Sequence, residues 1–405
     1  MIQQPLTLPN GAVIRNRIVK SAMSEALADE HNNPTDGLIE LFGRWSRGGA
    51  GLLITGNTPV DRWHLEHAGN FVLDKNSDMN QVRRLAEAGK SGGALILAQL
   101  AHAGRQTPEF INAHPLSMSD VQLELPGYGL PTPATEADFE AVIAQFAQSA
   151  ALAKEAGFNG VEIHAAHGYL MSSSFSPRIN TREDRWGGSL GNRARLVLSV
   201  VAAVRAEVGP EFIIATKLNS SDFQKGGFSH EDSIAVAKML QDEGIDFLEI
   251  SGGNFESPVS YQHTAKKEST VAREAYFLDY AREIKAALDI PVMVTGGFRS
   301  LSVMNQALSE NATDLIGMGR PFIVDPEFPA RLLEGEIDAA PAIERDFPPA
   351  SELPRGAVLN WFCYQLERHG LEGDSDISIP VVDGHERYLE SIEVLSERLL
   401  KARGQ

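Results

Sequence analysis

An α/β fold, a closed (β/α)8 TIM barrel with a C-terminal helical extension, is what this chain predicts. Three observations carry that prediction. Eight short apolar, β-branched runs recur between Arg17 and Arg320. They are continuous rather than alternating, as strands buried on both faces are. Amphipathic stretches separate them, and such alternation of strand and helix implies a parallel sheet. An open doubly wound sheet usually shows a glycine-rich phosphate loop after its first strand. Here "SAMSEAL" follows the first run, and it holds no glycine.

The runs are, in order, "RIVKSAM" ending at Met23, "GLLITGN" at Asn57, "ALILAQL" at Leu100 and "GVEIHA" at Ala165. Then come "FIIATKLN" ending at Asn219, "FLEISGG" at Gly253, "PVMVTGG" at Gly297 and "LIGMGR" at Arg320. Between them, 138–157, 195–209 and 233–244 carry apolar residues at helical spacing and close on glycine. A Pro-rich insertion (104–135) follows the third run, and a second (168–192) follows the fourth. Both fall at the barrel's C-terminal face, where active sites are built. "DPEFPARLLEG" makes a last barrel helix. The barrel is therefore assigned to 1–335, and 336–405 to a linker and extension with a helix over 356–370. Leu359, Trp361, Phe362 and Leu366 make that helix too apolar for a free tail. It is expected to pack on the barrel or on a neighbouring subunit of a homo-oligomer.

Composition excludes several classes of function. With 36 Lys plus Arg against 54 Asp plus Glu, the net charge of −18 repels nucleic acid and anionic membranes. The single cysteine, Cys363, rules out a disulfide framework, a Cys-based zinc site and a four-Cys iron–sulfur cluster. No basic apolar leader opens "MIQQPLTLPN", and no apolar run approaches the ~20 residues of a membrane helix. The expected location is the cytoplasm.

In a barrel the strand C-termini converge on one mouth. The last two runs end in "TGGF" and "GMGR", so Gly296, Gly297, Gly319 and Arg320 suit a phosphate. Gln99 and Lys217 end otherwise apolar strands and need partners there. A flat heterocycle with amide-like edges supplies one, and for Lys217 a buried ion pair is the structural alternative. His164, His167 and Tyr169 cluster at the end of the fourth run. A metal hydrolase would need a carboxylate beside them, and Glu162 is assigned to the outer face of its strand. Two imidazole donors gripping one substrate oxygen, beside a phenol that delivers a proton, fit the trio better.

Five stretches then carry a resemblance: "NRIVKSAM" (16–23), "AQLAHAGRQ" (98–106), "GVEIHAAHGYLMSSSFSP" (160–177), "NTREDRWGGSLGNR" (180–193) and "DLIGMGRPFIVDP" (314–326). From about Leu6 to Leu333 the chain resembles the old yellow enzyme family, FMN-dependent ene-reductases on a (β/α)8 barrel. The resemblance implies FMN as cofactor and NADPH or NADH as reductant. It implies Ala22 and Met23 along the flavin, Ser24 near O4, Asn57 close by, Gln99 on the pyrimidine edge and Lys217 near N1 and O2. It further implies Gly296, Gly297, Gly319 and Arg320 at the phosphate. His164 and His167 would bind the oxygen of an α,β-unsaturated carbonyl compound, and Tyr169 would protonate carbon. Arg182, Asp184 and Trp186 are read as structural. Ser24 stands where many relatives carry Thr or Cys, Asn57 where the residue is often small and apolar, and Lys217 where Arg is expected. NADH oxidation by oxygen, amine demethylation and a flavin-binding sensor or carrier are the rivals on the same barrel.

Overall fold

Eight parallel strands close on themselves: β1 (Ile18–Lys20), β2 (Leu52–Ile54), β3 (Leu95–Ala101), β4 (Gly160–Ala165), β5 (Ile213–Asn219), β6 (Phe247–Ser251), β7 (Val292–Thr295) and β8 (Leu315–Met318). The ring is sealed where β8 pairs with β1 (Ile316 opposite Ile18) and β2 with β3 (Leu52 opposite Leu95). The computed structural model describes residues 1–256 and 277–404. All eight runs read from the sequence are strands of this (β/α)8 barrel, which the C-terminal helices then cover.

Around it lie α1 (Asp36–Arg47), α2 (Met79–Lys90), α3 (Glu136–Ala156), α4 (Leu190–Val208), α5 (His230–Asp242), α6 (Leu278–Lys285), α7 (Leu301–Ser309) and α8 (Phe328–Glu334). The first five begin alike: the side chains of Thr35, Asp78, Thr135, Ser189 and Ser229 each accept a backbone N–H of the first turn. Each such cap is worth about 1 kcal/mol. Thr135 and Asp138 complete a reciprocal capping box, which starts α3 two residues before the apolar periodicity does.

The strands alternate between two apolar environments. Ile18, Leu53, Ile96, Val161, Ile214 and Leu248 turn outward into the main core beneath the helices. Val19, Leu52, Leu97, Ile213, Phe247 and Leu315 fill the barrel's lower interior. Above that plug the interior becomes polar, and the site begins there.

The extension consists of α9 (Ala357–Glu372) and α10 (Val381–Ala402). It packs on the barrel of its own chain. At the crossing of α1 and α9, a Cβ on Gly37 would collide with the backbone of Gly370, so only glycine allows that approach. Trp361 is fully buried and donates its indole N–H to Ile379 O at 2.9 Å. α10 then folds back over the segment after β2. Leu399 joins Leu65, Ala68, Val72 and Ile111 in a separate apolar cluster. Arg403 donates to Arg62 O at 2.6 Å. The sequence reading did not anticipate α10, because few of its residues are buried and its apolar stripe is thin. Among the described residues no helix is long and apolar enough to cross a membrane.

Candidate active site

His164 is the fifth residue of β4, and the strand's period of two sets what accompanies it. Glu162, two residues earlier, faces the same way. It is fully buried inside the barrel and accepts from Gln99 Nε2 at 2.6 Å. The outward placement expected for Glu162 is therefore corrected: residues i and i+2 share a face. Lys217 lies opposite His164 on β5 and opposite Glu249 on β6. Its Nζ pairs with Glu249 Oε1 at 3.0 Å, the side chains being 3% and 0% exposed. The two strand-end polar groups thus form one buried layer, Gln99–Glu162 and Lys217–Glu249. Burial, and then the neighbouring Glu249, push the Glu162 carboxyl well above the usual carboxylate range, so it is held protonated.

The layer above it holds the histidines and the phenol. The rings of His164 and His167 meet edge to face at 5.1 Å, and those of His164 and Tyr169 at 4.8 Å. His164 Nδ1 accepts the Ala166 N–H at 3.2 Å, which leaves the proton of the neutral ring on Nε2. His167 adopts a left-handed backbone, φ +64°. Asn219, at the end of β5, stabilises that turn by accepting the His167 N–H at 3.2 Å. His167 Nε2 shares a 2.8 Å hydrogen bond with Ser251 Oγ at the end of β6. Burial first, then the Lys217 cation, hold the His167 ring down at about 3, and burial holds His164 well below its usual value. Both imidazoles are neutral donors at physiological pH.

Asn57 and Ser24 belong to a second network. Asn57 Nδ2 donates to Tyr169 Oη at 3.0 Å and to Glu66 Oε2 at 3.2 Å. Ser24 Oγ donates to the same carboxylate oxygen at 2.9 Å. Glu66, Ser251, Asn219 and Glu249 were not assigned roles from the sequence. Ser251 and Asn219 could have been, since both end strands beside assigned residues. Glu66 could not, because it lies on a loop with no motif of its own.

The ends of β7, β8 and β1 form the other side of the mouth. Gly296 and Gly297 have φ of +121° and +82°, backbone that a side chain would strain. A Cβ on Gly319 would lie 3.1 Å from Met23 Sδ, which brings the end of β8 against the Met23 side chain. The Arg320 guanidinium sits 5.4 Å from the Phe362 ring of α9, so the extension packs directly on it. The "TREDRWGG" loop is tied down as expected of a structural element. Arg182 donates to Met118 O at 3.0 Å and Ala134 O at 2.7 Å, and Trp186 Nε1 donates to Glu136 Oε2 at 2.6 Å.

One trio among the described residues, Asp61, His64 and His102, has the donor chemistry of a metal site. Its hydrogen bonds point elsewhere. His64 gives Nδ1 to Asp61 at 2.7 Å and accepts the Leu116 N–H on Nε2 at 3.0 Å. Its ring stacks on His102 at 4.2 Å, face to face rather than both edges toward one ion.

The mouth fits FMN by donor chemistry. A buried cation and an amide stand on one side, and side-chain-free backbone with an arginine on the other. Comparison with known proteins agrees. Residues 2–338 match the NADH:flavin oxidoreductase / NADH oxidase family. The NADH-dependent flavin oxidoreductase nadA of Aspergillus parasiticus is 37% identical over 342 residues, covering 80% of this chain and 76% of that one. The old yellow enzyme homologue from Zymomonas mobilis superposes with a TM-score of 0.72 at 25% identity, covering 88% of this chain and 98% of that one. A 2-naphthoyl-CoA reductase, solved with 2-naphthoyl-CoA, superposes with a TM-score of 0.78 at 26% identity over 84% of this chain and 53% of that one. The chain belongs to the NADH:flavin oxidoreductase / NADH oxidase family, that of the old yellow enzymes, with FMN as its cofactor and NAD(P)H as reductant.

Proposed function

We propose that this flavin oxidoreductase reduces the C=C bond of α,β-unsaturated carbonyl compounds by a ping-pong cycle. The observation that carries the reading is the contact of two neutral imidazoles and a phenol at the end of β4. Bound FMN supplies the redox chemistry, accepting a hydride from NAD(P)H and passing it to the β-carbon of the alkene. His164 and His167 hydrogen-bond the carbonyl oxygen and stabilise the negative charge that develops there. Because both rings are neutral, they donate hydrogen bonds without giving up a proton. Tyr169 delivers the proton to the α-carbon. In this reading Gln99 and Lys217 bind the flavin ring with Ala22, Met23, Ser24 and Asn57 alongside, and Gly296, Gly297, Gly319 and Arg320 bind its phosphate.

The test is anaerobic. The FMN-loaded protein is bleached with NADH or NADPH, and 2-cyclohexenone is then added in excess. Return of the yellow colour without oxygen, with parallel lines in steady-state kinetics, supports the reading. Colour that returns only on admitting air favours NADH oxidase chemistry. Full activity in Tyr169→Phe would remove Tyr169 as the proton donor.

A further inference from the structure

We propose that Asn57 and Glu66 are a positioning pair that aims the proton of Tyr169, and that α10 holds the pair in place. This deepens the ene-reductase reading and rests on Tyr169 being the acid. Asn57 is 8% exposed, and its amide hydrogens meet two oxygens, Tyr169 Oη at 3.0 Å and Glu66 Oε2 at 3.2 Å. Glu66 settles which way round the amide lies. Its Oε2 also accepts from Ser24 Oγ at 2.9 Å and Asn70 Nδ2 at 3.3 Å, so it presents only an acceptor to Asn57. The NH2 end of Asn57 must therefore face the carboxylate and the phenol together. Tyr169 oxygen accepts from it, and the phenolic O–H is turned in another direction.

That arrangement matters when the proton leaves. With the hydride that bound FMN would supply at the β-carbon, the α-carbon takes the proton as the Tyr169 O–H bond breaks, and the phenol becomes a phenolate. Solvent later returns the proton. During the step the developing negative charge on Oη faces the Asn57 N–H, a fixed dipole in a buried site. The ring orientation is shared with His164, whose edge meets the Tyr169 ring at 4.8 Å.

Residues 57–73 are held from outside by α10. His67, adjacent to Glu66, bonds the Tyr388 phenol through Nε2 at 3.2 Å. A Cβ on Gly69 would lie 2.9 Å from Leu395 Cδ2. Leu399 packs with Leu65 and Ala68. The C-terminal extension thus buttresses the loop that carries Glu66.

Stopped-flow kinetics on the FMN-loaded enzyme separates the two halves of the cycle. In Asn57→Ala, bleaching by NAD(P)H serves as the internal reference, because any loss at the flavin site slows both halves of the cycle, whereas the loss of the bond to Tyr169 slows reoxidation further. Relative to bleaching, reoxidation by 2-cyclohexenone is expected to slow by about tenfold more, part of what a general acid contributes. The alkaline limb of the reoxidation pH profile should move upward, because a phenolate without the Asn57 N–H is harder to form. Asn57→Ser is too short to reach the phenol and should show the same changes if the alanine variant loses flavin. Tyr388→Phe should give a smaller change of the same kind. Reoxidation within twofold of wild type and an unmoved alkaline limb in both Asn57 variants would overturn the proposal. Unchanged reoxidation in Tyr169→Phe would instead overturn the assignment of the acid on which it rests.

Discussion

Acid destabilises this protein through its neutral histidines, and His167→Asn is the perturbation that shows it. An unfolded histidine titrates near 6.5. In the folded chain burial and Lys217 hold His167 at about 3. Below pH 6.5 the unfolded state therefore binds a proton that the folded state refuses, so stability falls as pH falls, and the loss continues down to the folded value. At pH 5 the unfolded ring is ~1.5 pH units below its own pKa while the folded ring is still neutral. The difference is about 2 kcal/mol for this one residue. pH 5 is a useful choice because it lies well above the folded value, so the size of the effect rests on the unfolded pKa alone. Asparagine does not titrate and tolerates the left-handed backbone at φ +64°. Urea unfolding at pH 7.5 and pH 5, with FMN in the same excess throughout, should show wild type losing about 2 kcal/mol more than His167→Asn between the two conditions. Equal losses in the two proteins would mean that His167 takes up a proton while folded. The neutral-donor mechanism would then need one imidazolium instead.

Other perturbations follow from the same structure. Lys20 is fully buried against the Phe42 and Trp45 rings at 4.8 and 4.5 Å, paired with Glu25 and bonded to Ile54 O at 2.8 Å. Glu25→Gln leaves that cation without its counter-ion and should cost about 3–5 kcal/mol in chemical denaturation. Gly317 sits on β8 where a Cβ would collide with Thr295 Oγ1 and Ser21 Oγ. Gly317→Ala should cost about 1–3 kcal/mol, read as a lowered Tm. Leu399→Ala opens the small cluster under α10 and should cost about 2–5 kcal/mol. Dialysis against EDTA should leave Tm and the reductive half-reaction unchanged, since both His64 nitrogens are already bonded within the protein.

How far the sequence could be read depends on which physical signal each feature leaves. The barrel was legible because burial on both faces imposes continuous apolar runs, and all eight survive as strands. The residues at the strand ends were legible because a polar group closing an apolar run has to be explained. Glu162 faces inward, not outward, because a strand's period of two puts it on the His164 face. Its partner Glu249 was passed over because "FLEIS" looks like another buried strand with a stray acid. The register Lys217 opposite Glu249 turns that acid into a counter-ion. α10 left no comparable trace, since its contacts with the segment after β2 join residues more than three hundred positions apart, as His67 and Tyr388 do. Glu66 left none because its partners Ser24, Asn57 and Asn70 lie outside helix and strand, where no periodicity marks them.

In the proposed reaction, the charges inside the barrel account for neutral donors at 164 and 167. Lys217, Glu162 and Glu249 sit in one water-poor layer beneath the histidines. Two ionised carboxylates with one ammonium would leave a net negative charge there, under the place where substrate oxygen gains negative charge. Holding Glu162 protonated removes that excess, and Gln99 donates to one of its oxygens at 2.6 Å. A protonated histidine above that layer would be a second buried cation beside Lys217, which costs more than hydrogen bonds to the substrate would return. The same burial that excludes the imidazolium makes each remaining N–H dipole more effective, because little water screens it. Phenol and imidazole then divide the work by chemistry. In the proposed reaction the rings at 164 and 167 hold the oxygen as neutral donors, so the proton comes from another group. In this cluster that group is Tyr169.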